Sequence, residues 1–146
     1  MLPPSTAHCI YDHSPSQTSP LAKRRILLID PERDAREVMQ TCLELTTDWQ
    51  VMAVDNYRDG LEIAENQLVQ AILVSIERLN WEAQLVLAAL QNRAARCGVP
   101  TLAIAERVHY SESQAARAIG LAGCISPLSD GVSLGEQIAH CLGWLD

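Results

Sequence analysis

The sequence predicts a parallel α/β domain, a three-layer α/β/α sandwich. Two unbroken apolar runs, Ile26-Leu27-Leu28-Ile29 and Ala71-Ile72-Leu73-Val74, are short and show no polar alternation, so both faces of each strand are expected to be buried. Along the chain, five such strand-like runs alternate with five stretches of helical spacing. Strict alternation calls for right-handed crossovers, and these produce a parallel sheet covered on both sides.

Residues 1–23 stand apart. Pro3, Pro4, Pro15 and Pro20 lie among Ser, Thr, Gln and His, a composition that cannot build a core and predicts a disordered tail. Residues 24–146 are then one domain. Within the tail, His8-Cys9-Ile10-Tyr11-Asp12-His13 gathers metal-ligating residue types, but ordering a tail around a metal is costly, and a short docking motif around Ile10 and Tyr11 is the better functional reading.

The first strand, Ile26–Ile29, ends on Asp30. Pro31 suits the opening turn of a helix, where a missing N–H costs nothing, and Asp30 reads as its N-cap. Val38, Met39, Cys42 and Leu45 are the expected inward face of that helix. Gln50–Val54 is the second strand, Asp55-Asn56 a turn and cap, and Leu61, Ile63, Ala64 and Leu68 mark the second helix. After the central strand a helix is expected from about Trp81 to Arg96, with Leu85, Ala88, Ala89 and Leu90 inward. Gly98 stops it and Pro100 leads into the strand Thr101–Ala105. Ser111 caps a short fourth helix, Ala122–Ile125 is the fifth strand, and Asp130 or Gly131 opens a last helix carrying Leu134, Ile138, Cys141, Leu142 and Leu145.

Charge and composition exclude several function classes. The chain carries a formal net charge of -7, and residues 26–146 alone carry -9, because the start of the chain is basic at Lys23-Arg24-Arg25. An acidic body repels phosphate backbones, so direct nucleic-acid binding is not expected. No apolar run reaches the roughly 18 residues that span a bilayer, and the N-terminus lacks a secretory pattern. A cytoplasmic location is the expectation. The five cysteines, Cys9, Cys42, Cys97, Cys124 and Cys141, form no C-x-x-C pair. They suit neither a zinc framework nor a redox couple, and the last four read as small core residues.

Four stretches carry a further likeness: Ile26-Leu27-Leu28-Ile29-Asp30; Val54-Asp55-Asn56 leading to Gly60-Leu61-Glu62-Ile63-Ala64; Val99-Pro100-Thr101-Leu102-Ala103-Ile104; and Pro127 after the fifth strand. In this order and spacing, the chain from Arg25 onward resembles the receiver domain of two-component response regulators. The resemblance implies a flavodoxin-like (βα)5 fold with strand order 2-1-3-4-5.

It also implies a set of site positions. A working receiver has two adjacent acids after the first strand and an aspartate ending the third, an oxygen cluster suited to Mg²⁺. A Thr or Ser after the fourth strand and a Lys after the fifth bind the phosphoryl oxygens. Here Asp30 matches the first acid, Pro31 takes the second, and Glu32 comes one place late. Ser75 falls on the phosphoacceptor position, Ala105 on the Thr/Ser position and Ser126 on the lysine; Lys23, in the tail, is the only lysine of the protein. Neither acyl-phosphate formation nor Mg²⁺ binding is expected. The pattern is similar to the pseudo-receivers familiar in cyanobacterial light and clock signalling, which act by binding partners.

The expected function is therefore that of a stand-alone, non-enzymatic interaction module recognising another signalling or regulatory protein. In receivers the usual partner and homodimer face is formed by the fourth helix, fifth strand and fifth helix. That region here includes Arg107, Tyr110, Arg117, Leu121, Leu128 and Gln137. Two alternatives are a phosphotransfer receiver using Asp30, Glu32 and Glu77, and a small-molecule sensor in which Arg107 meets an anion at the altered pocket. A hydrolase triad of Asp30, Ser75 and His109 is disfavoured, because Ser75 lacks the G-x-S-x-G turn that exposes a nucleophile. Gly120-Leu121-Ala122-Gly123 precedes a strand and is no dinucleotide fingerprint.

Overall fold

Five strands form one parallel sheet: β1 Arg25–Ile29, β2 Gln50–Val54, β3 Ala71–Ser75, β4 Thr101–Ile104 and β5 Gly123–Ile125. Their spatial order is β2-β1-β3-β4-β5. The computed structural model describes residues 24–76, 85, 88–92, 98–105, 114, 117–118, 120–126 and 133–144. Within them lie helices α1 Arg33–Thr46, α2 Tyr57–Asn66 and α3 Leu134–Leu142. Residues 88–92 are also helical, between β3 and β4, as are Gln114, Arg117 and Ala118 between β4 and β5.

The two-sided burial expected of the central strands is present residue by residue. Ile26, Leu28, Ala71, Leu73, Leu102 and Ile104 belong to one core cluster, with Met39 and Leu43 of α1 and Leu134, Ile138 and Ala139 of α3. The alternate residues, Leu27, Ile29, Ile72, Val74, Ala103 and Ala105, belong to a second cluster on the other face with Leu90 and Leu121. Tyr57, Leu61, Ile63 and Ala64 of α2 pack against it. A strand turns successive side chains to opposite faces, so a run with no polar residue feeds both layers at once.

Helix ends differ in part from expectation. Asn56 caps α2 as expected, its side-chain oxygen accepting from the Asp59 N–H at 2.8 Å. Asp30 does not cap α1. Its Oδ1 accepts from the Glu32 N–H at 2.9 Å, a turn closed by an aspartate two residues earlier, and the cap position is Glu32, which makes no side-chain capping bond. The described cap of α3 is Ser133, whose hydroxyl oxygen accepts from the Glu136 N–H at 3.2 Å, rather than Asp130 or Gly131, which lie outside the described residues.

The inward face of α1 is rotated from the expected one. Met39 and Leu43 are buried, whereas Val38 is 67% exposed and Leu45 79% exposed. Positions 39 and 43 lie one turn apart on one face, and Val38 and Leu45 fall on a neighbouring stripe that the sheet does not reach. Leu85 is likewise exposed, as is Ala89, while Leu90 is buried. The cysteines are corrected too: Cys141 is exposed and Cys42 and Cys124 are half-buried.

At the amino edge of the sheet, Trp49 and Trp144 meet edge-to-face, with ring centroids 5.3 Å apart. The Arg24 guanidinium sits 4.3 Å above the Trp144 ring, a cation–π contact that ties the start of β1 to the end of α3. Both tryptophans are thereby accounted for as packing residues; Trp81 lies outside the described residues.

Candidate functional site

Sheet register brings the carboxyl-edge residues to one level. Ile29 lies opposite Val74, Ser75 opposite Ile104, and Ile104 opposite Ile125. Asp30, Ser75, Ala105 and Ser126 therefore emerge side by side where the strands end, the place where open α/β sheets collect ligands and chemistry.

Asp30 is 2% exposed. Its Oδ1 is committed to the Glu32 N–H, and its Oδ2 is buried without a hydrogen-bond partner among the described residues. The Arg36 guanidinium reaches the loop but donates to the Asp30 backbone carbonyl, at 3.0 Å, rather than to the carboxylate. Pro31 and Glu32 are exposed. Ser75, the last residue of β3, is half-buried. Ala105 is buried in the second core cluster, its backbone N–H is spent on the Ile125 carbonyl at 3.0 Å, and its side chain has no polar atom to offer. Ser126 is half-buried. Among the described residues, the four strand-end positions themselves offer one carboxylate and two side-chain hydroxyls and no cation of their own; the nearby Arg36 guanidinium is spent on the Asp30 carbonyl. Glu77, Arg107 and His109 lie outside the described residues.

Tyr57, at the start of α2, belongs to this neighbourhood although the sequence reading passed over it. Burial pushes its hydroxyl pKa above the ordinary value near 10, and the Asp30 charge adds to the push. Ionisation of Tyr57 is thus easier in the unfolded chain, so stability is complete below pH 10 and declines above it, toward the raised folded pKa. Tyr57→Phe is expected to flatten this alkaline decline, as followed by thermal melts across the alkaline range.

Solved structures of the same architecture identify the fold. A CheY-like response regulator receiver domain from Methanospirillum hungatei superposes with a TM-score of 0.68 at 20% sequence identity, covering 84% of this chain and 96% of that one. The fold is that of a response regulator receiver domain. A LuxR-family two-component response regulator from Aurantimonas gives a TM-score of 0.70 at 15% identity, over 84% of this chain and 87% of the other. An orphan response regulator of H. pylori gives 0.63 at 15% identity, over 84% and 97%. No protein-family model and no curated relative matches the sequence. At these identities the likeness establishes the receiver fold alone.

Of the expected partner face, Arg117 is exposed on its helical segment and Gln137 is half-buried on α3. Arg117 also lies close enough to α3 to act on Cys141: partial burial pushes that thiol's pKa up, and the guanidinium pulls it down. Leu121 is a correction. It is buried in the second core cluster, where it packs under the sheet instead of facing a partner. Arg107, Tyr110 and Leu128 lie outside the described residues. A separate open groove of about 290 Å³ runs along the flank of α2, lined by Val54 at the end of β2 and by Asp59, Glu62, Ile63, Asn66 and Gln67. No helix of the described residues is long and apolar enough to cross a membrane.

Proposed function

We propose that this chain is a pseudo-receiver, a receiver fold that works as a phosphorylation-independent, non-enzymatic interaction module in signal transduction. The observation that carries the reading is Ser75: the central strand ends on a hydroxyl, level with Asp30, where acyl-phosphate chemistry requires a carboxylate. The neighbouring positions agree. Pro31 brings no oxygen donor, Ala105 offers no hydroxyl and Ser126 no cation, so a transferred phosphoryl group would meet no charge-assisted hydrogen bond from them.

Mg²⁺ does not fit the described donors either. It demands near-octahedral oxygen geometry, usually with several carboxylate or phosphate ligands, and the free Oδ2 of Asp30 is a single buried oxygen beside a proline. The unorthodox acidic set would add Glu32, but that side chain is exposed while its backbone N–H is held by Asp30. The interaction reading therefore stands ahead of phosphotransfer.

Recognition is assigned to the surface carrying Arg117 and Gln137, and the partner to another signalling or regulatory protein. Affinity capture with the full chain tests this in two arms. A specific partner should be retained equally with and without acetyl phosphate and Mg²⁺, and Arg117→Glu should lower its retention about tenfold, as expected for a charge reversal at an interface. Retention that requires acetyl phosphate and Mg²⁺ would contradict the proposal.

A further inference from the structure

Among the described residues, β2 is an edge strand of the sheet. On its inner side β2 is paired: the Gln50 N–H donates to the Arg24 carbonyl, and the Val54 carbonyl accepts from the Asp30 N–H. In a parallel ladder alternate residues bond to a given side, so Gln50, Met52 and Val54 face β1, while Val51 and Ala53 turn their N–H and C=O groups outward. Such a row of outward groups is a template for another strand.

At Val51 both outward groups are occupied by α1. Gln40 Nε2 donates to the Val51 carbonyl at 3.1 Å, and the Val51 N–H donates to Glu44 Oε2 at 3.4 Å. Gln40 and Glu44 are four residues apart and so lie one above the other on the same flank of the helix. Leu43, fully buried beside them, fixes the helix against the sheet and sets the reach of both side chains. The two residues act as a clasp on both backbone groups of one edge residue, Val51.

The position of the clasp matters. Of the two-fold registers open to two copies pairing edge to edge, the one centred on Met52 matches the most outward groups of β2, and it places Val51 of one copy opposite Ala53 of the other, and the reverse. Val51 takes part in both matched pairs, so occupying it within the molecule removes both at once. We propose that Gln40 and Glu44 close the β2 edge against strand addition by a second copy of this chain, and that removing them turns β2 into a self-pairing edge.

The test has two readings. In the full chain, Glu44→Ala should speed hydrogen exchange of the Val51 amide about fivefold, the equivalent of one ordinary net hydrogen bond. Glu44→Gln keeps an acceptor oxygen and should leave exchange near the wild-type rate. The double variant Gln40→Ala/Glu44→Ala, with an unchanged circular dichroism spectrum, should sediment as a larger species than wild type at the same concentration, with the Val51 amide protected again. An unchanged Val51 exchange rate in Glu44→Ala would overturn the proposal. So would a folded double variant that sediments like wild type. If the double variant does not fold, the exchange rates of the two single variants still decide.

Discussion

Replacing Leu73 with alanine is expected to cost about 3–5 kcal/mol, the range for deleting a fully buried leucine whose surroundings cannot close over the gap. Leu73 is fully buried at the centre of the sheet, in the cluster that joins β1, β3 and β4 to α1 and α3. Its strand is flanked on both sides by β1 and β4, so the cavity has no mobile margin from which to be filled. Against a total of about 5–15 kcal/mol for an ordinary domain, that loss should lower the urea midpoint severely while leaving the slope of the transition unchanged. Leu45→Ala is the control. At 79% exposed it should change stability by less than about 0.5 kcal/mol. If Leu45→Ala proved the costlier of the two, the rotation of α1 described above would be wrong.

Gly60→Val should be comparably damaging, for the opposite reason. A Cβ at Gly60 would collide with Ile29 Cδ1 and stand 2.7 Å from Ile29 Cγ1. Ile29 is fully buried between α2 and the sheet, so it has nowhere to retreat, and α2 must lift from β1 instead. Overpacking of this kind costs about 1–3 kcal/mol, and valine's two further methyl groups push it to the upper end; valine's slightly better helix propensity than glycine's offsets little of this, and a loss of about 3 kcal/mol is expected in chemical denaturation. Gly143→Ala makes an informative comparison. Nothing lies within 4 Å of its added Cβ, but the backbone there is left-handed at φ 70°. Its cost, about 1 kcal/mol, comes from conformation and not from crowding.

These two substitutions sit where the sequence was easiest to read. A buried parallel strand leaves a run of apolar residues, and all five runs form strands within a residue of the expected bounds. The receiver-like order of the strands followed from the resemblance, and the sheet has it. The first helix was harder, because Val38 and Leu45 are apolar yet exposed, and periodicity records hydrophobicity without knowing how wide a stripe the sheet will cover. Cys141 misled in the same way, since it lies in an apolar stretch but at the surface. Leu121 erred in the other direction: its place next to the fifth strand suggested a surface position, and the core takes it.

At the site, Asp30, Ser75, Ala105 and Ser126 were picked out by the resemblance, and the sheet register sets them near one another at the strand ends. What surrounds them was not legible. The Asp30 charge acts on Tyr57 at the start of α2, and Arg36 bends back to the Asp30 carbonyl from within α1. Neither has a spacing rule that announces it. Nor did the contact of Gln40 and Glu44 with Val51 show in the sequence, where two polar residues on a helix flank read as ordinary solvated positions.

The central claim is that the receiver fold persists here without its phosphotransfer chemistry. Intact-mass measurement of the full chain after incubation with acetyl phosphate and Mg²⁺ tests it most directly. The account predicts a single unmodified mass, because Ser75 supplies no acceptor carboxylate and Asp30 stands without a second acid. A Mg²⁺-dependent gain of one phosphoryl group, lost in Asp30→Asn, would contradict it and make this chain a working receiver with an unorthodox acid set.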